Sequence, residues 1–349
     1  MFHKTRQKFT VLFVALAATC LLVVPGCGDD SSSDTTEALS TTTVALATTT
    51  TVTPTTTVAP EPVEKPLIVV TTNILGDVVG KAVGDLFDVE TIMPSGADPH
   101  VFQASAKQVD RMMKADLLVV NGANFEEGLL DVIKGAESEG VKVFEAIDSV
   151  DPLEDNDKEE GHDDHHGHDH GGVDPHFFTD PGRMAQVVKQ LSDFLVLNFP
   201  EIDEKDLVSK MTDYSKKLED LDSEVMQTLS SIPTGSRVMV TNHEVFAYFA
   251  ESYEFEILGT IIPSSSTLSN TSAKDLVDLA EKMKAEGVPA VFVDASSSDA
   301  LAEALAGEVD GVEVVSLFSE SLGAENTAGS TYIDMVRTNS ELIASALTG

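Results

Sequence analysis

The sequence predicts an α/β protein of two lobes, each built on a mainly parallel sheet flanked by helices, with one long rigid helix joining them. Three observations predict it. From Pro66 onward, short β-branched runs alternate with helix-length segments. The alternation breaks off near residue 202 and resumes at 237. The stretch between carries an apolar stripe at intervals of three and four, too long for an ordinary crossing between strands.

In the first series the strand runs are LIVVTT (67–72), FDVETIM (87–93), DLLVVNG (116–122) and VKVFEA (141–146). Helices are expected near 74–84, 104–115 and 126–135. The stripe Leu207, Met211, Tyr214, Leu218, Leu221, Val225 and Leu229 predicts a linking helix of about 27 residues, roughly 40 Å at 1.5 Å per residue. Coiled-coil dimerisation competes for that stripe, but a lobe surface needs covering here, so a monomer is expected. The second series runs RVMVTN (237–242), FEILGTI (255–261), AVFVDA (290–295) and VEVVSL (312–317). Its helices include 273–286 and a final one near 331–347.

Ahead of these lobes stands a leader. Lys4, Arg6 and Lys8 precede an apolar run from Phe9 to Val24, and Pro25-Gly26 stop it before Cys27. The stretch LVVPGC resembles a bacterial lipobox with Pro25 where a small residue is usual. Residues 1–26 then leave as a signal peptide and Cys27 carries the lipid. An uncleaved anchor is the alternative, but the run falls short of the ~20 residues of a good spanning helix. Either way the rest lies outside the cytoplasm, tied to the membrane at the cell surface or in a periplasm. Residues 27–65 read as a tether, with 13 Thr in the 23 residues from Thr35 to Thr57. The organisation expected is therefore a first lobe at 66–202 with an insert at 155–172, a linking helix at 203–232 and a second lobe at 233–349.

Cys20 and Cys27 are the only cysteines, and Cys20 leaves with the leader, so no disulfide forms within the mature chain. Loss of Lys4, Arg6 and Lys8 takes the net charge from −37 to −40. So acidic a surface excludes nucleic acid as a partner and raises the local concentration of cations without selecting among them.

Histidine carries the chemistry. Five of the nine crowd into GHDDHHGHDH, namely His162, His165, His166, His168 and His170; three stand alone at His100, His176 and His243. Two of the three share a tripeptide, Asp98-Pro99-His100 and Asp174-Pro175-His176. Proline fixes the backbone before each imidazole and restricts the residue ahead of it, so both leave a stiff turn. His243 stands where a strand ends, the usual place for a ligand in an α/β lobe. Each alone reads as a structural histidine; the three together, with the His/Asp insert beside the second, read as a metal site. Three imidazoles and one carboxylate or water satisfy a tetrahedral Zn2+. Nitrogen-rich coordination favours Zn2+ over the harder Mn2+, while Cu2+ and Ni2+ also accept such ligands. The insert reads as an auxiliary, weaker chelator that gathers zinc, or else as a tolerated acidic insertion.

With these residues in view, the chain from Pro66 onward resembles the zinc and manganese solute-binding proteins of ABC importers, the cluster A-I or ZnuA/TroA-like family. TTNILGDVVGKAVGD, MPSGADPHVFQAS, DPHFFTDPGRMAQ, VTNHEVFAYFAESY, LFSESLG and TYIDMVRTN carry the resemblance. It implies a metal held in a cleft between two lobes and delivered to a membrane permease and its ATPase. It gives ligand roles to His100, His176 and His243, and to Glu320, which stands in LFSESLG where the family commonly has aspartate. A flexible loop is expected to absorb the extra methylene, or else a water takes the fourth place with Glu320 beside it. Manganese-selective relatives typically have glutamate at the position of His243. A second departure is IIPSSSTLSNTSAKDL, which lacks an acidic residue often found there and leaves contacts at that rim of the cleft open. Competing readings are a manganese-binding homologue, a zinc hydrolase on the same histidines, and a surface adhesin. No HExxH or other base-bearing zinc motif occurs, so no enzyme is expected.

Overall fold

The computed structural model describes residues 64–154 and 172–349. The leader, Cys27, the tether and the five histidines of the insert lie outside the described residues. Among those described, no helix is long and apolar enough to cross a membrane.

Strand β1 (Leu67–Val70) opens the first sheet; Thr72 then caps helix α1 (Asn73–Val83) by accepting from Leu75 N–H. After β2 (Asp88–Thr91) come α2 (Ala106–Met113), started by a Ser105/Gln108 capping box, and β3 (Leu117–Val120). Helix α3 (Leu130–Ser138) and β4 (Lys142–Glu145) complete the series. The strands lie in the order β2-β1-β3-β4, all parallel. The second sheet repeats the plan with β5 (Val238–Thr241), β6 (Glu256–Thr260), β7 (Ala290–Asp294) and β8 (Glu313–Leu317) in the order β6-β5-β7-β8. Helices α6 (Ala247–Tyr253), α7 (Ala273–Glu286) and α8 (Ala300–Gly307) connect those strands. Both series match the strand runs read from the sequence to within two residues.

The expected helix at 126–135 is displaced. A 3-10 turn occupies Glu127–Leu129 and α3 starts only at Leu130. Gly122, Ala123 and Asn124 all have positive φ, and Glu126 turns inward to accept from Asn121 N–H at 2.6 Å and Thr71 Oγ1 at 2.5 Å. A side chain used to close the loop in this way holds the chain out of helix for one more turn.

The long helix is α5 (Glu204–Leu229), capped by Asp203. Its seven stripe residues are all 3% exposed or less. They are covered inside the chain, by α1 and by α4 (Pro181–Asn198) on the first-lobe side and by α9 (Tyr332–Thr348) on the second. The stripe therefore packs within one molecule rather than as a coiled coil. Helix α4, which the periodicity did not single out, lies along α5 and is the larger part of that cover. One apolar core consequently runs from Ile68 through Leu218 to Leu347, continuous across both lobes, while separate small cores fill the outer face of each sheet. At about 1.5–3 kcal/mol for each large side chain fully buried, this shared core ties the lobes together along their backs.

Candidate metal centre

The C-terminal ends of the strands in both sheets face one another, and four side chains meet there. His100 follows β2, His176 stands just ahead of a 3-10 turn leading into α4, His243 follows β5 and Glu320 follows β8. All four are 3% exposed or less, and one donor atom from each lies within 4.8 Å of every other. Glu320 is at the centre. Its Oε1 stands 2.9 Å from His243 Nε2 and 3.3 Å from His176 Nε2, and its Oε2 stands 3.5 Å from His100 Nε2. Ligands bound about 2.0–2.2 Å from a tetrahedral ion stand about 3.4 Å from one another. The three separations bracket that edge. His100 Nε2, His176 Nε2 and Glu320 Oε2 are buried without a hydrogen-bond partner among the described residues, which is costly for a polar atom unless something is bound there.

Each Asp-Pro-His turn is closed by its aspartate. Asp98 Oδ1 accepts His100 N–H at 2.9 Å, and Asp174 Oδ1 accepts His176 N–H at 2.8 Å. Proline sets the backbone angle; the carboxylate locks it. The two turns then diverge. Asp174 Oδ1 also takes the Nδ1 of His176, at 2.8 Å, whereas the Nδ1 of His100 reaches across to Glu127 Oε1 at 3.1 Å. A partner on Nδ1 leaves Nε2 as the free electron pair and fixes the ring's direction. Glu320 is held differently. Asp294, at the end of β7, accepts from Glu320 N–H at 2.9 Å and from both the N–H and the hydroxyl of Ser319. Beyond it, Asn73 of the first lobe receives Leu322 N–H at 2.7 Å and donates to Ser321 Oγ at 2.7 Å. The loop expected to flex is thus pinned from both lobes, and the longer glutamate side chain spans the remaining distance itself.

The profile of the family described as zinc-uptake complex component A, periplasmic (ZnuA), matches residues 68–346. The chain belongs to that family. Its members are substrate-binding proteins of ABC transporters, not enzymes. The chain is 29% identical over 289 residues to the zinc-binding protein TroA of Treponema pallidum, covering 81% of this chain and 89% of that one. It is 26% identical over 290 residues to the manganese ABC transporter substrate-binding lipoprotein PsaA of Streptococcus pneumoniae, with 81% and 89% covered. The solved structure of the Treponema pallidum periplasmic zinc-binding protein TroA superposes with a TM-score of 0.70 at 27% identity, covering 82% of this chain and all of that one. A manganese-bound periplasmic metal-binding protein from Candidatus Liberibacter asiaticus shares the fold, with a TM-score of 0.70 at 20% identity over 81% of this chain and 100% of its own.

Electrostatics at this centre follow from burying one carboxylate among imidazoles. Burial opposes charge on His100, but the carboxylates of Glu127 and Glu320 outweigh it and push the imidazole up to about 9. Burial likewise opposes charge on His176, yet Glu320 and Asp174 push it up to about 10. Burial works against the ionised form of Glu320 too, and the histidines, His176 foremost, hold it well below the usual carboxylate range. Without metal, protons on the imidazoles neutralise the carboxylate. A cation that binds must displace them.

Reading the sequence missed the supporting residues. Glu127, Asp294, Glu126 and Asn121, whose Nδ2 donates to Pro175 O at 2.9 Å, carry no motif, and Asn73, though within TTNILGDVVGKAVGD, gave no sign of its role; they come together only in the fold. The aspartates of the repeated Asp-Pro-His had a signal, since an acidic residue two positions before a buried N–H is a common turn closure. Glu244, beside His243 in sequence, is not part of the convergent group.

Proposed function

We propose that this protein captures one Zn2+ between its lobes with His100, His176, His243 and a direct carboxylate ligand from Glu320, and delivers it to an ABC permease and ATPase. The convergence of three Nε2 atoms on Glu320 at 2.9, 3.3 and 3.5 Å carries the reading. Three neutral nitrogens and one carboxylate make a donor set that favours Zn2+ over Mn2+, which prefers oxygen. Relatives named for each metal exist, so donor chemistry has to decide. Contact of Glu320 with all three imidazoles supports direct ligation over a water in the fourth place. The lipid on Cys27 would keep the protein at the membrane that houses the importer, and the five histidines from His162 to His170 would bind further zinc more weakly.

Competitive titration of metal-stripped protein against chelators tests this. One equivalent of Zn2+ bound at least 100-fold more tightly than Mn2+ is expected. Equal or tighter Mn2+ binding would reverse the metal assignment.

A further inference from the structure

Asp174 steadies His176 and Glu320 meets His243; His100 is held by Glu127 and Asp98 of its own lobe, and both of these carboxylates are in turn bonded across the cleft. Glu127 Oε1, which takes His100 Nδ1, is also the acceptor of Ser266 Oγ at 2.5 Å. Asp98, which takes the His100 N–H on Oδ1, accepts Thr267 Oγ1 on Oδ2 at 2.8 Å. Ser266 and Thr267 belong to the second lobe, in the rim between β6 and α7, within the stretch whose missing acidic residue left its contacts open. Both carboxylates that set His100, one for its ring and one for its backbone, are thus bonded to hydroxyls of the opposite lobe. Gly128 keeps the Glu127 turn close: a Cβ there would meet Phe102 O at 2.1 Å, so the turn rides against the chain just beyond His100.

We propose that Ser266 and Thr267 are positioning residues for the metal site, acting through Glu127 and Asp98 so that the aim of His100 depends on the lobes being closed. The inference rests on the reading of the four-residue centre as the site of metal capture. While the rim stays down, hydroxyl-to-carboxylate bonds hold the ring of His100 toward Glu320; such bonds to a charged acceptor are among the stronger ones. When the rim lifts, both carboxylates that hold His100 lose their partners in the opposite lobe together, while Asp174 still holds His176. His100 is then the first ligand to let go. A cavity of about 520 Å³, lined in part by Asp98, Thr267, Asn242 and Ser296, opens beside that contact.

The test is the rate at which zinc leaves the loaded full-length protein into excess chelator, measured by stopped flow. Loss of an outer partner of a metal ligand typically costs ~10–100-fold in affinity. Ser266→Ala is expected to speed dissociation about tenfold with association changed less than twofold, and Ser266→Ala/Thr267→Val to speed it further. Ser266→Thr, which restores the hydroxyl, should remain within about threefold of the parent. Ser269→Ala serves as control, since its hydroxyl bonds Ser264 in the same rim and reaches neither carboxylate. Ser266→Ala combined with Glu127→Gln should cost no more than Glu127→Gln alone, because the two act in one chain of contacts. An unchanged dissociation rate in Ser266→Ala, an equal acceleration in Ser269→Ala, or additive effects with Glu127→Gln would each overturn the inference while tight zinc binding by the parent stood. A parent that took up no metal would overturn the reading of the site and this inference with it.

Discussion

Glu320→Gln keeps the side-chain volume and removes one negative charge from the middle of three imidazoles, with two opposed consequences. The first is loss of an anionic ligand whose oxygens stand 2.9 to 3.5 Å from the three Nε2 atoms. As a direct ligand it should cost more than the ~10–100-fold typical of an outer partner, hence above about 2.7 kcal/mol. The second is relief of proton competition. In the parent at pH 7, zinc must displace protons from His100 and His176, whose pKa values stand at about 9 and about 10. Each log unit between pH and pKa weakens apparent affinity about tenfold per imidazole. Without Glu320 those imidazoles hold protons less tightly, so the variant recovers part of its loss at neutral pH. Parent affinity should therefore climb with a slope approaching two protons per zinc from pH 7 toward 9, the variant more shallowly, and the deficit should widen as pH rises. Chelator competition at pH 7 and pH 9 measures both. A deficit below about 100-fold at pH 9, or one that narrows with pH, would refute direct ligation by Glu320.

Other outcomes follow from the same geometry. His100 and His176 have folded pKa values above the ordinary 6.5, so their contribution stabilises the metal-free protein fully below about pH 6.5 and is lost as pH rises through 9 to 10. Calorimetry should show the metal-free melting temperature falling across that window while the zinc-loaded form, its imidazoles already deprotonated, does not follow. Ala at His100, His176 or His243 should weaken zinc binding far more than Ala at any one of His162, His165, His166, His168 or His170; equal effects in elemental analysis after dialysis would contradict the assignment. Deleting 155–172 should remove weak zinc equivalents and leave the tight one within about threefold, since the four convergent residues lie outside that segment; loss of the tight equivalent in a titration would show that the segment supplies a ligand.

Much of this was legible because it is written in local pattern. Eight β-branched runs became eight strands, and the stripe from Leu207 to Leu229 became α5 almost to the residue, because burial on a repeating geometry leaves a repeating trace. The three histidines were legible through their rarity and through the repeated tripeptide. Glu320 was reached only by resemblance: an acidic residue in a chain with 59 of them has no signal of its own. Glu127 was hidden for a further reason. Its neighbour Glu126 is buried and bonded to Thr71 and Asn121, which unwinds the expected helix start and turns Glu127 toward His100. Such long-range pairings leave no periodic mark. The covering of α5 by α4 escaped for the same cause, since which helix meets which stripe is decided in three dimensions.

The neck of the insert has a use of its own. Glu154 and Val173 face each other in an antiparallel bridge, Asp174 N–H donates to Leu153 O at 2.9 Å, and Leu153 N–H donates to Tyr248 Oη at 3.0 Å. The two strands of the neck are therefore closed before the insert begins, and any segment grafted there starts and ends at nearly the same point. Lengthening a loop with fixed ends costs only about 0.6 kcal/mol per doubling. Asp174, which aims His176, is the very next residue after the bridge. A fluorescent domain or a reactive tag placed between Glu154 and Val173 would sit one residue from the carboxylate that orients His176 while leaving both sheets uncut, which makes this neck the natural splice point for an optical reporter of events at that histidine.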